Sequence, residues 1–168
     1  LAGDFGINRI HFSEKERIFE RIFFTNKAEN CIADIIIEAI VENKEAKINL
    51  FNSLAAINHS AVIFATNTSS VSVSEIAANV KNAGNVGGRH FFNPAPVMKL
   101  IEIIKGNKTS EAVVQQVFQL AVAFGKTPVI CKDAPGFIVN RVARQYYLEA
   151  MKLIEEHLAS IETIDEVM

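Results

Sequence analysis

The stretch Arg89-His90-Phe91-Phe92-Asn93-Pro94-Ala95-Pro96-Val97-Met98-Lys99-Leu100-Ile101-Glu102 decides how the rest of the chain is read. Two short apolar segments, each carrying one ionisable residue, are joined by a proline-bearing turn. That turn is too short for a parallel crossover, so one strand of the fold must run antiparallel. His90 and Glu102 are equidistant from Pro96. If the segments pair about that proline, the two residues face each other with Cβ atoms about 5 Å apart. Imidazole is the side chain best suited to moving protons near neutral pH. A carboxylate in reach would fix its tautomer and stabilise its charged form. The plainer reading of the same stretch is a hairpin with a hydrogen-bonded histidine.

Upstream, the pattern alternates. Ser13 to Phe23 reads as a helix, with Ser13 as cap, Glu14 and Glu16 in the first turn, and Ile18 and Ile22 on one face. Ile32 to Ala39 reads as a buried strand, Glu42 to Ile57 as an amphipathic helix, Ala61 to Thr66 as a strand and Ser72 to Val80 as a helix. Val86 to Phe92 and Lys99 to Ile104 flank the proline turn as strands. Ser110 to Phe124 is a helix capped by Ser110 and closed by Gly125, and Thr127 to Cys131 is a last strand. Strands apolar on both faces and alternating with helices predict an α/β fold, a mostly parallel sheet covered by helices. From Asp133 the pattern becomes purely helical. Pro135 suits the first turn of a long helix running to about Glu156, with Asn140 about one turn in, and Ser160 starts another. A domain boundary is therefore expected near Asp133.

Bulk composition narrows the class. The chain has 168 residues, 49% hydrophobic, with a net charge of −2, so neither nucleic acid nor an anionic membrane is expected as a partner. No apolar run approaches the ~20 residues of a membrane span; the best candidate, Ile35 to Val41, is short and interrupted by Glu38. Cys31 and Cys131 are isolated, which fits packing roles in a reducing compartment and no metal site. No signal segment is evident, Leu1 is not an initiator residue, and Met168 falls inside a helical pattern. The chain is expected to be part of a longer protein.

In an open α/β sheet, ligands bind beyond the carboxyl ends of the strands. Three segments end there: Ala39-Ile40-Val41-Glu42, Asn67-Thr68-Ser69-Ser70, and His90 to Asn93. Carboxylate, hydroxyls, carboxamide and imidazole converge on one rim. Taken alone, Asn67 to Ser70 reads more readily as a helix-capping loop. Asn140 is either bonded to nearby backbone or faces a cleft between two domains. His59 and His157 follow helix ends, where a cation is favoured, and His11 sits in a loop. Lys44, Glu45 and Lys47 read as a solvated helix face.

Four blocks in order carry a resemblance that these patterns alone do not give: Ile37-Glu38-Ala39-Ile40-Val41-Glu42-Asn43, Ala65-Thr66-Asn67-Thr68-Ser69-Ser70, His90-Phe91-Phe92-Asn93-Pro94-Ala95-Pro96-Val97-Met98-Lys99-Leu100, and Lys132-Asp133-Ala134-Pro135-Gly136-Phe137-Ile138-Val139-Asn140-Arg141. From about Ala33 onward the chain resembles the 3-hydroxyacyl-CoA dehydrogenase family. The resemblance implies the second half of a Rossmann-type NAD-binding domain (residues 1–132) and the beginning of an all-helical C-terminal domain (residues 133–168) that forms a homodimer. It implies NAD-dependent oxidation of a (3S)-3-hydroxyacyl-CoA to the 3-ketoacyl-CoA, or the reverse, in fatty-acid or butyrate metabolism. The location implied is cytoplasmic, or the mitochondrial matrix in a eukaryote. On the same resemblance His90 is the general base, Glu102 its partner, Ser69 a hydrogen-bonding group near substrate hydroxyl and nicotinamide, and Asn140 a substrate-site residue. Ala39, Glu42, Lys47, Ser69 and Asn93 match cofactor-binding positions, which moves Lys47 from solvent face to cofactor contact.

The sequence departs from that family in holding no GxGxxG turn. As it stands the chain is expected to bind NAD weakly or not at all and to expose apolar surface. Alternatives are the dehydrogenase module of a multifunctional fatty-acid oxidation protein and a non-catalytic structural relative.

Overall fold

The computed structural model describes residues 12–167, in two compact units that meet in sequence at Cys31 and Ile32. Within the first unit, α1 spans Phe12–Phe19. The helix as described includes Ser13 and ends before Ile22. Residues 14–31 bury no side chain completely, so no packed face extends the helix to Phe23.

The second unit begins with β1 (Ile35–Glu38), α2 (Lys44–Ile57), β2 (Ile63–Thr66), α3 (Val73–Ala78) and β3 (Val86–Phe91). It continues through β4 (Leu100–Lys105), α4 (Glu111–Ala123), β5 (Thr127–Lys132), α5 (Val139–Glu155) and α6 (Ile161–Val167). The strands lie in the order β1-β2-β3-β4-β5. All pairings are parallel except β3 with β4. This is the mostly parallel, Rossmann-like sheet that the alternating pattern predicts, with the antiparallel step where the proline turn requires it. Elements are shorter than the sequence pattern suggests because their ends are capped. Asn43, Ser72 and Ser110 each accept an amide hydrogen bond at the start of α2, α3 and α4. Gly125 follows α4 at φ +70°, a conformation that suits glycine.

The long helix starts later than expected. Gly136 and Phe137 have φ values of 75° and 46°, which a right-handed helix cannot contain. Pro135 thus belongs to a turn before α5, and Asn140 is the second residue of α5, not a residue one turn in.

Strand alternation gives the sheet two different faces. Ile63, Ile101 and Ile103 pack with Val113, Val114, Val117 and Ala121 of α4 on one face. On the other, Phe64 meets Phe51 of α2 with ring centroids 4.8 Å apart. That second face turns polar toward the carboxyl ends of β1 to β3, where Glu38 pairs in register with Thr66 and His90 with Glu102. At Gly88 a Cβ would stand 2.7 Å from Ile104 Cβ and 2.8 Å from Val73 Cγ2, so the absence of a side chain lets α3 settle on the sheet. Arg89 points to the α4 side. Its guanidinium lies 4.7 Å from the Phe91 ring and 4.8 Å from the Phe124 ring. Among the described residues none of its three guanidinium nitrogens has a hydrogen-bond partner. Burial pulls its pKa below the usual arginine value.

Two outcomes follow for unfolding in urea. Gly88→Ala should destabilise the protein by about 1–3 kcal/mol through overpacking, whereas Gly87→Ala, whose nearest neighbour would be 3.5 Å away, should cost far less. Arg89→Met should raise the unfolding midpoint, since a buried cation that meets two ring faces but no hydrogen-bond partner among the described residues gives way to an apolar chain of similar length.

Candidate active site

The site is built on the polar end of the α2 and α3 face. β3 and β4 pair in the register expected from the proline turn, with His90 opposite Glu102. His90 Nδ1 lies 2.7 Å from Glu102 Oε2, and both side chains are almost fully buried. A carboxylate can only accept, so Nδ1–H donates to it and the neutral ring presents its lone pair at Nε2. Ser69 Oγ stands 3.1 Å from that Nε2. Hydroxyl, imidazole and carboxylate therefore form one line. Phe92 and Phe137 pack against the imidazole, with ring centroids 4.8 and 5.6 Å away, and exclude water from its sides.

Glu102 has a second task. Its Oε1 accepts the amides of Ile138 and Val139, each at 2.9 Å. These are amides at the start of α5, which have no partner within the helix. The left-handed turn at Gly136 and Phe137 aims them back at the sheet. Asp133 makes a parallel tie, with Oδ2 accepting Ser72 Oγ–H and the Ser74 amide, both at 2.7 Å. Burial opposes ionisation of Asp133, but the Ser72 hydroxyl and the amides at the start of α3 outweigh it and hold its pKa below the ordinary 3.8. Between residues 69–72 and 133–137 lies a cavity of about 130 Å³ that opens beside Ser69.

The loop carrying Ser69 is held from the other side. Glu42 Oε1 accepts the amides of Ser69 and Ser70 at 2.9 and 3.0 Å and the hydroxyls of Thr68 and Ser70 at 2.5 and 3.2 Å. Its Oε2 lies 3.2 Å from Lys47 Nζ. Burial alone would raise the Glu42 pKa. The Thr68 hydroxyl, the Ser70 and Ser69 amides and Lys47 together bring it down to about 2. Lys47 is not on a solvated face: its side chain is fully buried and also pairs with Glu38 Oε1 at 2.8 Å. Lys44 does sit at the surface, paired with Glu75.

The remaining site candidates lie apart from this network. Ala39 and Asn93 are exposed on the rim loops. Among the described residues no hydrogen bond joins the Asn140 side chain to Ser69, His90 or Glu102, although its helix is anchored by Glu102 two residues earlier. Glu38, Thr66 and Asp133 were not legible as site residues. The signal for Glu38 was its position as a lone carboxylate within the apolar run Ile35 to Val41. The Cys131 thiol is pushed up to about 11 by desolvation and by the charges of Glu102 and Asp133. Among the described residues no cluster of three or more metal-ligating side chains occurs, and no helix is long and apolar enough to cross a membrane.

Comparison with known proteins adds the following. Residues 5–134 match the family model described as 3-hydroxyacyl-CoA dehydrogenase, NAD binding domain, and residues 136–168 match its C-terminal domain. The chain is 50% identical over 136 residues to 3-hydroxyadipyl-CoA dehydrogenase of Escherichia coli, covering 81% of this chain and 29% of that protein. It is 46% identical over 135 residues to the mitochondrial hydroxyacyl-coenzyme A dehydrogenase of Homo sapiens, covering 80% of this chain and 43% of that protein. The crystal structure of (S)-3-hydroxybutyryl-CoA dehydrogenase from Ralstonia eutropha superposes with a TM-score of 0.88 at 37% identity, over 92% of this chain and 55% of that one. The chain thus spans less than half the length of the two curated relatives.

The Glu42 clamp has a pH signature. Its pKa is depressed in the folded state, so its stabilisation is complete above the ordinary value of 4.5 and is lost as pH falls toward about 2. Urea unfolding of Glu42→Gln should depend less steeply on pH between about 4.5 and 2 than that of the unsubstituted protein.

Proposed function

This chain belongs to the 3-hydroxyacyl-CoA dehydrogenase family, and from that premise we propose that the protein oxidises a (3S)-3-hydroxyacyl-CoA to the 3-ketoacyl-CoA with NAD, or runs the reverse. The observation that carries the reading is the line Ser69 Oγ, His90 Nε2, His90 Nδ1, Glu102 Oε2, with contacts of 3.1 and 2.7 Å.

His90 Nε2 is the general base. It takes the proton of the C3 hydroxyl while the C3–H bond breaks and the carbonyl forms. Bound NAD supplies the acceptor for the departing hydride. The imidazolium so produced faces Glu102, whose negative charge lies 2.7 Å from Nδ1. Ser69 stands where its hydroxyl can bond the reacting oxygen as the proton leaves. Asn140 contributes from the helical segment, placed at the start of α5.

The residues present suit the nicotinamide half of the cofactor. Glu42 keeps about a third of its side chain exposed and has Oε2 free of the loop clamp, so it can accept from a ribose hydroxyl. Asn93 and the backbone near Ala39 lie exposed on the same loops. Lys47, without exposed surface, serves the cofactor through Glu42. The division into a nucleotide-binding part up to residue 132 and a helical part from residue 133 is part of the same proposal, supported by the left-handed turn at Gly136 and Phe137 that precedes α5. The exposed Val142, Tyr147 and Met151 of α5 support burial of that helix against more protein, including a partner subunit. The substrate class, an acyl-CoA, and a location in cytoplasm or mitochondrial matrix are part of the same proposal.

The test is reduction of acetoacetyl-CoA by NADH with the full-length protein. His90→Gln and Glu102→Gln should each lower turnover by about 10²–10⁴ while NAD binding changes little. Absence of any reduction by the unsubstituted protein would overturn the reading, and a variant with full turnover would remove that residue from the mechanism.

A further inference from the structure

Among the described residues two carboxylates are buried in the sheet: Glu102, used above, and Glu38, which the reaction does not touch. Glu38 is the last residue of β1, and its side chain has no exposed surface. Oε1 accepts the Ile40 amide at 2.7 Å and the Lys47 ammonium at 2.8 Å. Oε2 accepts the Thr66 hydroxyl at 2.6 Å. The main chain reinforces this junction, since the Asn67 amide donates to Glu38 O at 2.7 Å and Asn67 Oδ1 accepts the Phe91 amide at 3.1 Å.

From Glu38 a line of alternating charge runs along the rim. Lys47 Nζ bridges to Glu42 Oε2, and Glu42 Oε1 gathers the Thr68 and Ser70 hydroxyls and the Ser69 and Ser70 amides. The line ends where Ser69 Oγ meets His90 Nε2. The links from Glu38 through Lys47 to Glu42 measure 2.8 and 3.2 Å, and the Glu38 and Lys47 side chains have no exposed surface in which to adjust. A lysine has a flexible four-carbon stem, and ordering it in one rotamer is costly. Buried, it stays in place only while its charge is compensated. Without the Glu38 charge, Lys47 would be left with one partly exposed carboxylate, and Glu42 would lose its fixed counter-ion.

We propose that Glu38 is a positioning residue for Ser69: its buried charge holds Lys47, Lys47 holds Glu42, and Glu42 sets the 68–70 loop so that the Ser69 hydroxyl meets the imidazole. The kinetic part of this inference rests on the function proposed above; the structural part does not.

Glu38→Gln keeps size and accepting oxygen but removes the charge. Amide hydrogen exchange at Ser69 and Ser70, whose N–H groups donate to Glu42, should speed up by about tenfold or more, while the core amides of β2 to β4 change much less. A purely structural Glu38 would loosen the sheet evenly or leave residues 69–70 unchanged, and either pattern would overturn the proposal. The second arm is a double-mutant cycle in full-length protein assayed with acetoacetyl-CoA. If Glu38 acts through Ser69, the pair Glu38→Gln with Ser69→Ala should turn over within about twofold of Ser69→Ala alone; losses that multiply would contradict it. Should Glu38→Gln fail to fold, Thr66→Val removes the donor to Oε2 alone and should give a smaller acceleration at the same two amides. A protein without dehydrogenase activity would sink the functional reading and leave the exchange result to judge Glu38 by itself.

Discussion

The Glu102 carboxylate is the point on which the rest of the site depends. One oxygen accepts the hydrogen bond of His90 Nδ1–H and the other accepts two amides from the start of α5. A buried carboxylate is tolerable only when its lone pairs are met. Here the groups that satisfy it are the ones that must be placed relative to each other. The tautomer of His90 and the seat of the helix bearing Asn140 are fixed by the same residue. Its own position is fixed by register, because a one-residue slip between β3 and β4 would turn Glu102 toward α4.

A second set of constraints acts from the opposite flank. Ser69 belongs to a loop with no regular backbone pairing, so its place is set by side chains. Glu42 replaces the missing pairing by collecting four donors on one oxygen. The imidazole therefore lies between two anchored partners, each held by a carboxylate whose remaining contacts lead into other elements. Such a site is preorganised by hydrogen bonds that already exist in the folded chain.

Much of the fold was legible because strand and helix periods, caps and the proline turn agree with one another. The pairing of His90 with Glu102 followed from symmetry about Pro96 alone. The errors have physical causes. Pro135 looked like a helix start, but the left-handed turn at Gly136 and Phe137 is a tertiary choice that turns the Ile138 and Val139 amides toward Glu102. Lys47 looked solvated because helical periodicity registers a charge but not the carboxylates of β1 and the following loop that bury with it. Glu38 looked like an interruption in an apolar strand for the same reason: its partners Lys47 and Thr66 are 9 and 28 residues away. Family resemblance points to Glu42 and Lys47, and only the folded arrangement connects them to Ser69.

The two faces of the sheet also differ in what they can absorb. The polar side chains Glu38, Thr66, His90 and Glu102 stand on the face opposite the one that packs on α4, so neighbouring positions in sequence answer to separate demands. The α4 layer could be repacked, or Arg89 exchanged for an aliphatic residue, without rotating the imidazole. Drift in sequence on that side then leaves the polar network in place, and the α4 layer is free to diverge among lineages faster than the residues around the imidazole.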